Sequence, residues 1–241
     1  MSVHRKICPD PVAAARACAQ EILALLDAAL DQQNTATLAI SGGRSPAPMF
    51  EELARQRFDW DRVHLFWVDE RAVPPADPQS NYRLAHELLL APAQVPPQNV
   101  HRVEAELPPG EAARRYEAEI RSFFRLAPGS LPQFDVIHRG LGADAHTASL
   151  FPGEPLIDDR EGIAAAVWVE KLFAWRITLL PGVLLNARHT VVLATGADKA
   201  VALRNVFLAP YEPKQFPGQL GLREGIAMKW FVDQAAARWL E

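Results

Sequence analysis

Asp144 and His146 stand two residues apart in the stretch Gly140-Leu141-Gly142-Ala143-Asp144-Ala145-His146-Thr147-Ala148-Ser149-Leu150-Phe151-Pro152-Gly153. A histidine held by a carboxylate is a competent general base near neutral pH. The apolar Leu150-Phe151-Pro152 that follows would shield one side of such a site. A loop histidine making one hydrogen bond is the commoner use of the residue. Here the pair follows a Gly-x-Gly turn at a predicted strand end, and that position favours chemistry. The other six histidines have no comparable setting. His138 lies on the predicted strand itself and His189 precedes a later strand, so both read as structural or solvent-facing.

Three further segments fall at predicted carboxyl ends of strands. In Ser41-Gly42-Gly43-Arg44-Ser45-Pro46 the glycines let backbone N–H groups approach an anion, the helix opening at Pro46 adds partial positive charge, and Arg44 or a hydroxyl can add contacts. Alone, this segment fits a plain strand–helix turn equally well. In Val68-Asp69-Glu70-Arg71 the arginine can grip phosphate bidentately, while Asp69 or Glu70 can orient it or move a proton. A surface ion pair is the simpler alternative. Ser80-Asn81-Tyr82 either folds back over this site or caps a helix. In Thr195-Gly196-Ala197-Asp198-Lys199 the lysine sits in a first helical turn, where it can meet an anion, or it is a solvated lysine behind an Asp cap. Arg176 can contribute another positive group. No Cys/His cluster has zinc-site spacing, no dinucleotide fingerprint is complete, and no nucleophilic-serine elbow is present. Residue types alone go no further than hydrolysis or proton transfer on a small phosphorylated metabolite.

The elements that must position these groups follow from periodicity. Asp10-Pro11 opens a helix to about Gln33. Strands are expected at Thr35–Ser41, Val63–Asp69, Phe134–Gly140, Ala164–Glu170, Arg176–Leu180, Thr190–Thr195 and near Ile226–Phe231. Helices are expected at Pro46–Gln56, Ser80–Leu90, Gly110–Leu126 and Asp198–Leu208, with a closing helix capped by Asp233. Pro92–Pro109 reads as a long surface loop. This alternation is an α/β fold: a mainly parallel, Rossmann-like sheet with helices on both faces and ligands at one sheet edge. With 241 residues, 49% of them hydrophobic, the chain is expected to form one domain. A formal net charge of −4 with no basic stripe argues against nucleic acid as a partner. No apolar stretch approaches a membrane span, and no export signal is read at the start, so the cytoplasm is the expected location. Cys8 and Cys18 read as free thiols.

The motifs SGGRSP, VDERAVPPADPQSNYRL, FDVIHRGLGADAHTASLFPG, RITLLPGVLLNAR and ATGADKAVALRNVF, in this order from about Leu38 to Asp233, resemble the 6-phosphogluconolactonase family. The segment around His146 is the most diagnostic. The resemblance implies the fold shared with glucosamine-6-phosphate deaminases and ribose-5-phosphate isomerases. It also implies hydrolysis of the lactone made by glucose-6-phosphate dehydrogenase, the second step of the oxidative pentose phosphate pathway. No metal or organic cofactor, and no obligate protein partner, is then expected. His146 matches the family's proposed base and Asp144 its acidic neighbour. Arg71 and Lys199 match positions that bind phosphate or sugar, and Ser41, Gly42 and Gly43 match the phosphate-side loop. The chain departs from the family pattern at Ala143 and Ala145, where an acidic residue and a glycine are usual. A positive φ at 145 would strain alanine by about 1 kcal/mol. It departs also at His138 and Arg139, and at Lys171-Leu172-Phe173-Ala174-Trp175, which lacks the family's proline-rich run. Two alternatives are a sugar-phosphate isomerase or deaminase using Asp69 as base, and a sugar-phosphate sensor without catalysis.

Overall fold

The computed structural model describes residues 4–43 and 45–240. In chain order the elements are β1 (His4–Cys8), α1 (Pro11–Leu30), β2 (Ala36–Ile40), α2 (Ala47–Arg55), β3 (Val63–Trp67), β4 (Asp69–Arg71), α3 (Asn81–Ala85), β5 (Val100–His101), α4 (Pro109–Phe123), β6 (Val136–Gly140), β7 (Ala164–Val169), β8 (Ala174–Leu179), α5 (Pro181–Leu185), β9 (His189–Ala194), α6 (Ala200–Leu208), β10 (Met228–Asp233) and α7 (Gln234–Ala237). Seven strands form a parallel sheet in the order β1-β10-β9-β6-β2-β3-β5.

Side-chain alternation decides which helix covers which face. Val191, Leu193 and Phe231 point to the layer of α1, while Val192, Ala194, Trp230 and Val232 point to α6 and α7. Helix α1 starts where Asp10 Oδ1 accepts from Ala13 N at 2.8 Å. It then buries Ala14, Cys18, Ile22 and Leu26, four residues apart, against the sheet. Full burial of side chains such as Ile22 and Leu26 contributes about 1.5–3 kcal/mol each. Both cysteines are free and buried, and the Cys18 thiol donates to Met49 Sδ at 3.4 Å.

Val68 is the joint between two sheets. Its N–H donates to Ile40 O (2.8 Å), ending the parallel ladder, and its carbonyl accepts from Leu179 N (2.8 Å), starting another. The second sheet is antiparallel, in the order β4-β8-β7. Sequence periodicity expects strands at the positions of β7 and β8, but not β4, which it reads as the end of β3 and a loop, and not their separate sheet. A hairpin of two β-rich runs, with no helix between them, cannot make the parallel crossover that the rest of the chain makes.

Other boundaries also differ from expectation. Strand β1 is missed by the pattern because four of its five residues are exposed at the sheet edge. Strand β10 starts two residues later than expected. The helix expected over 80–90 is α3 followed by a π-helical turn, His86–Leu90. The expected surface loop 92–109 carries β5 and buries Val95, Val103 and Ala105. No helix among the described residues is long and apolar enough to cross a membrane.

Tyr116 of α4 closes the end of β3. Its buried hydroxyl accepts from Trp67 N and donates to Trp67 O, both at 2.7 Å. Removing that hydroxyl leaves two buried backbone groups unpaired. Tyr116→Phe is expected to lower unfolding free energy by about 1–3 kcal/mol in urea titration. An unchanged midpoint would show that the strand end is satisfied in another way.

Candidate active site

The central strands β9, β6, β2 and β3 lie side by side, and their carboxyl ends open onto one cleft of about 290 Å³. The chain leaves β2 toward β3 and β5, then crosses to β6 on the other side, so this is the switch point of the sheet, where α/β folds bind ligands. Ser41, Gly42, Gly43, Asp69, Arg71, His146 and Lys199 all line the cleft. The structure therefore brings together residues from four segments that are up to 158 positions apart (199 minus 41).

His146 is held on three sides. Its Nδ1 lies 2.5 Å from Asp144 Oδ1. Its ring packs against Phe151, with centroids 4.2 Å apart. Beneath it is Gly142, where a Cβ would come within 2.0 Å of His146 Nδ1. Only glycine lets the ring lie that close to the backbone. Burial pushes the Asp144 carboxyl up, but hydrogen bonds from His146 and Lys171 outweigh it and hold Asp144 well below the usual carboxylate range. An ionised Asp144 accepts a hydrogen bond from Nδ1–H, which leaves Nε2 as the nitrogen with a free lone pair.

The histidine loop is stitched to its surroundings at many points. Gly142 N donates to His146 O (2.8 Å), and Gly218 N donates to Ala145 O (2.7 Å). Thr147 Oγ1 donates to Gly140 O at 3.0 Å. Ser149 N donates to Thr178 Oγ1 of β8 at 3.2 Å, and Ser149 Oγ donates to Asp69 Oδ2 of β4 at 2.8 Å. The loop thus spans the gap between the two sheets. Ala145 has φ 68° and Ala148 has φ 52°, the left-handed region that costs an L-residue about 1–2 kcal/mol. The strain expected at Ala145 is real, and the surrounding hydrogen bonds hold it.

The Ser41-Gly42-Gly43 turn before α2 also lines the cleft. Gly43 has φ 107°, and a Cβ on Gly42 would strike the Asn81 side chain at 2.0 Å. Asn81 fills that space because its Nδ2 donates to Asp69 O (2.8 Å). The Arg71 guanidinium donates to Gln79 O and also lines the cleft. Lys199 Nζ is 3.1 Å from Asp198 Oδ2, and its side chain is mostly buried.

Several sequence expectations change here. Glu70 is structural: it is 2% exposed. Its carboxylate accepts from Arg71 N, Asn81 N and Tyr82 N, each at 2.7 Å, and from Ser80 Oγ at 3.1 Å. Burial raises its carboxyl above the usual range despite those bonds. It folds residues 72–80 back and caps α3, so Ser80-Asn81-Tyr82 does return over the site. Arg176 does not line the cleft. It stands across from Arg71 in the β4–β8 pairing, and burial followed by repulsion from Arg71 lowers its guanidinium from the ordinary value. Arg44 lies outside the described residues. His138 is fully buried on β6, where burial pushes its imidazole down to about 3. Neither of its ring nitrogens has a hydrogen-bond partner among the described residues. Arg139 is buried beside it and donates to Leu220 O at 2.8 Å. Asn81 belongs to the segment expected to fold back or cap, while Ser149 and Lys171 are site neighbours that sequence patterns do not single out. Ser149 shares a motif with His146, but Lys171 carries no motif signal at all.

A sequence model of the family described as glucosamine-6-phosphate isomerases/6-phosphogluconolactonase matches residues 9–230. The chain belongs to this family. It is 35% identical over 232 residues to a 6-phosphogluconolactonase of Nostoc sp., covering 96% of this chain and 95% of that protein. Its fold superposes on the 6-phosphogluconolactonase of Thermotoga maritima with TM-score 0.81 at 28% identity, covering 96% of this chain and 100% of that one. The enzyme of the same name from Trypanosoma brucei gives TM-score 0.87 at 25% identity, covering 100% and 99%. The α/β fold is therefore that of the family.

Asp144 sets a test of stability against pH. Its folded carboxyl titrates below its unfolded value, so it contributes stability that is fully present above about pH 4 and is lost as pH falls toward the folded value. Asp144→Asn is expected to be less stable than wild type at pH 7, with the gap narrowing steadily as pH falls below about 4. Thermal melts across that range would show it. A gap that stays constant would mean that Asp144 is not held ionised by its partners.

Proposed function

We propose that the protein hydrolyses 6-phospho-D-glucono-1,5-lactone to 6-phospho-D-gluconate, the second step of the oxidative pentose phosphate pathway. The observation that carries this reading is the His146–Asp144 pair, at 2.5 Å, beside a cleft that Arg71, Lys199 and the Ser41-Gly42-Gly43 turn also line. The family's lactonase members support it. One α/β domain does the work, in the cytoplasm, on a small-molecule substrate.

His146 Nε2 takes a proton from water as the water oxygen bonds to the lactone carbonyl carbon. The carbonyl electrons move to oxygen. When they return, the bond to the ring oxygen breaks, and the imidazolium gives that oxygen its proton. The products are a carboxylate, with release of one proton, and a free hydroxyl. Asp144 keeps Nδ1 protonated throughout and stabilises the imidazolium. Lys199, Arg71 and the Ser41-Gly42-Gly43 turn hold the phosphate at the opposite end. Binding energy gained there fixes the carbonyl for attack. The isomerase alternative needs Asp69 as base, but Ser149 Oγ already donates to that carboxylate at 2.8 Å. It is the weaker reading.

The assay generates lactone in situ from glucose 6-phosphate with its dehydrogenase and follows its loss against the spontaneous rate. Wild type is expected to accelerate the loss, and His146→Ala to be slower by about 10²- to 10⁴-fold. A folded wild type that does no better than the blank would end the hydrolase reading. Equal activity of the two proteins would remove His146 as the base.

A further inference from the structure

The two oxygens of Asp144 serve different groups. Oδ1 faces His146 Nδ1, and Oδ2 takes the ammonium of Lys171. Lys171 comes from the turn between β7 and β8, in the 3-10 segment Glu170–Leu172, and the chain leaves that turn through Phe173 in a left-handed conformation, φ 45°. Its Nζ also lies 4.4 Å from the centroid of the Phe151 ring, the same ring that packs on His146. One flexible side chain therefore touches two of the three supports of the imidazole. Glycine, carboxylate and aromatic ring all belong to the histidine loop, whereas this lysine comes from the second sheet.

We propose that Lys171 is a positioning residue for His146, which divides the Asp144 carboxylate and so sets how acidic the medium can become before the histidine is protonated and the base is lost. This rests on the hydrolytic reading of the same site. A carboxylate bound to an imidazole alone favours the protonated ring. An ammonium on the other oxygen opposes that in two ways. It repels the imidazolium directly, and it draws part of the carboxylate's charge to itself. It also fixes the carboxylate's rotation, which keeps Oδ1 in line with Nδ1. The charged groups around His146 are Asp144 on its own loop, Asp69 and Arg71 on β4, Lys199 before α6, and Lys171. Among the described residues only Lys171 reaches the carboxylate behind the ring.

The sign follows. Without Lys171 the protonated ring is favoured, so the acidic limb of the kcat/KM profile moves to higher pH. For Lys171→Met the expected move is about 0.5–1 pH unit, equal to a roughly 3- to 10-fold loss on the acidic limb with little change on the plateau. Lys171→Arg keeps a cation on Asp144 and should restore the wild-type limb. Lys229→Met removes a lysine paired with Glu21 on another part of the surface and should leave the profile unchanged. NMR of the His146 ring resonances against pH gives the same displacement without any substrate. An unmoved limb and unmoved ring titration in Lys171→Met would overturn the proposal, as would a uniform loss at every pH. A displaced ring titration in a protein that does not accelerate lactone loss would sustain the role of Lys171 and reject hydrolysis. Lactone turnover with no displacement would reject Lys171 alone.

Discussion

For the hydrolysis proposed above, the imidazole of His146 has to keep a proton on one nitrogen and offer a lone pair on the other. That requirement sets much of the local structure. Asp144 fixes the protonated side at 2.5 Å, Gly142 leaves room beneath the ring, and Phe151 closes its outer face. A carboxylate two residues before a histidine reaches its Nδ1 only if the chain turns sharply between them. The turn is made by Ala145 at φ 68°, a conformation alanine resists. The hydrogen bond from Gly218 N to Ala145 O, and that from Gly142 N to His146 O, hold it there.

The two sheets explain how a loop under strain stays in place. The parallel sheet delivers Ser41, Gly140 and Lys199 to one edge, as any switch-point fold would. The antiparallel sheet provides the opposite wall. Val68 joins them, so Asp69 and Arg71 leave the main sheet directly into the cleft. Glu70, between them, points the other way and spends its charge on backbone N–H groups of residues 71, 81 and 82. Adjacent residues on a strand face opposite sides, and here that alternation separates a cleft-facing carboxylate from a buried one.

Much of this was legible in the sequence. Hydrophobic alternation located the central strands, because a strand buried on both faces leaves a short, dense apolar run, such as Thr35–Ser41. Glycine-bearing strand ends located the cleft. What escaped had physical reasons. Strand β1 is polar because it is an exposed edge. The separate antiparallel sheet depends on long-range pairing of β4 with β8, which no local pattern encodes. Glu70 and Asp69 are indistinguishable by type, and only the fold decides which is buried. Arg176 reads as an available cation, but it is paired across from Arg71 in the second sheet and does not line the cleft. Lys171 meets Asp144 across 27 residues of chain, at a hairpin tip with no motif.

The central claim is an orientation: carbonyl at His146, phosphate at the glycine turn and Lys199. A crystal structure with 6-phosphogluconate bound measures it directly. The account predicts the carboxylate oxygen within about 3 Å of His146 Nε2 and the phosphate against Ser41–Gly43 and Lys199. A ligand bound the other way round, with its phosphate beside His146, or one lying outside the cleft, would contradict it.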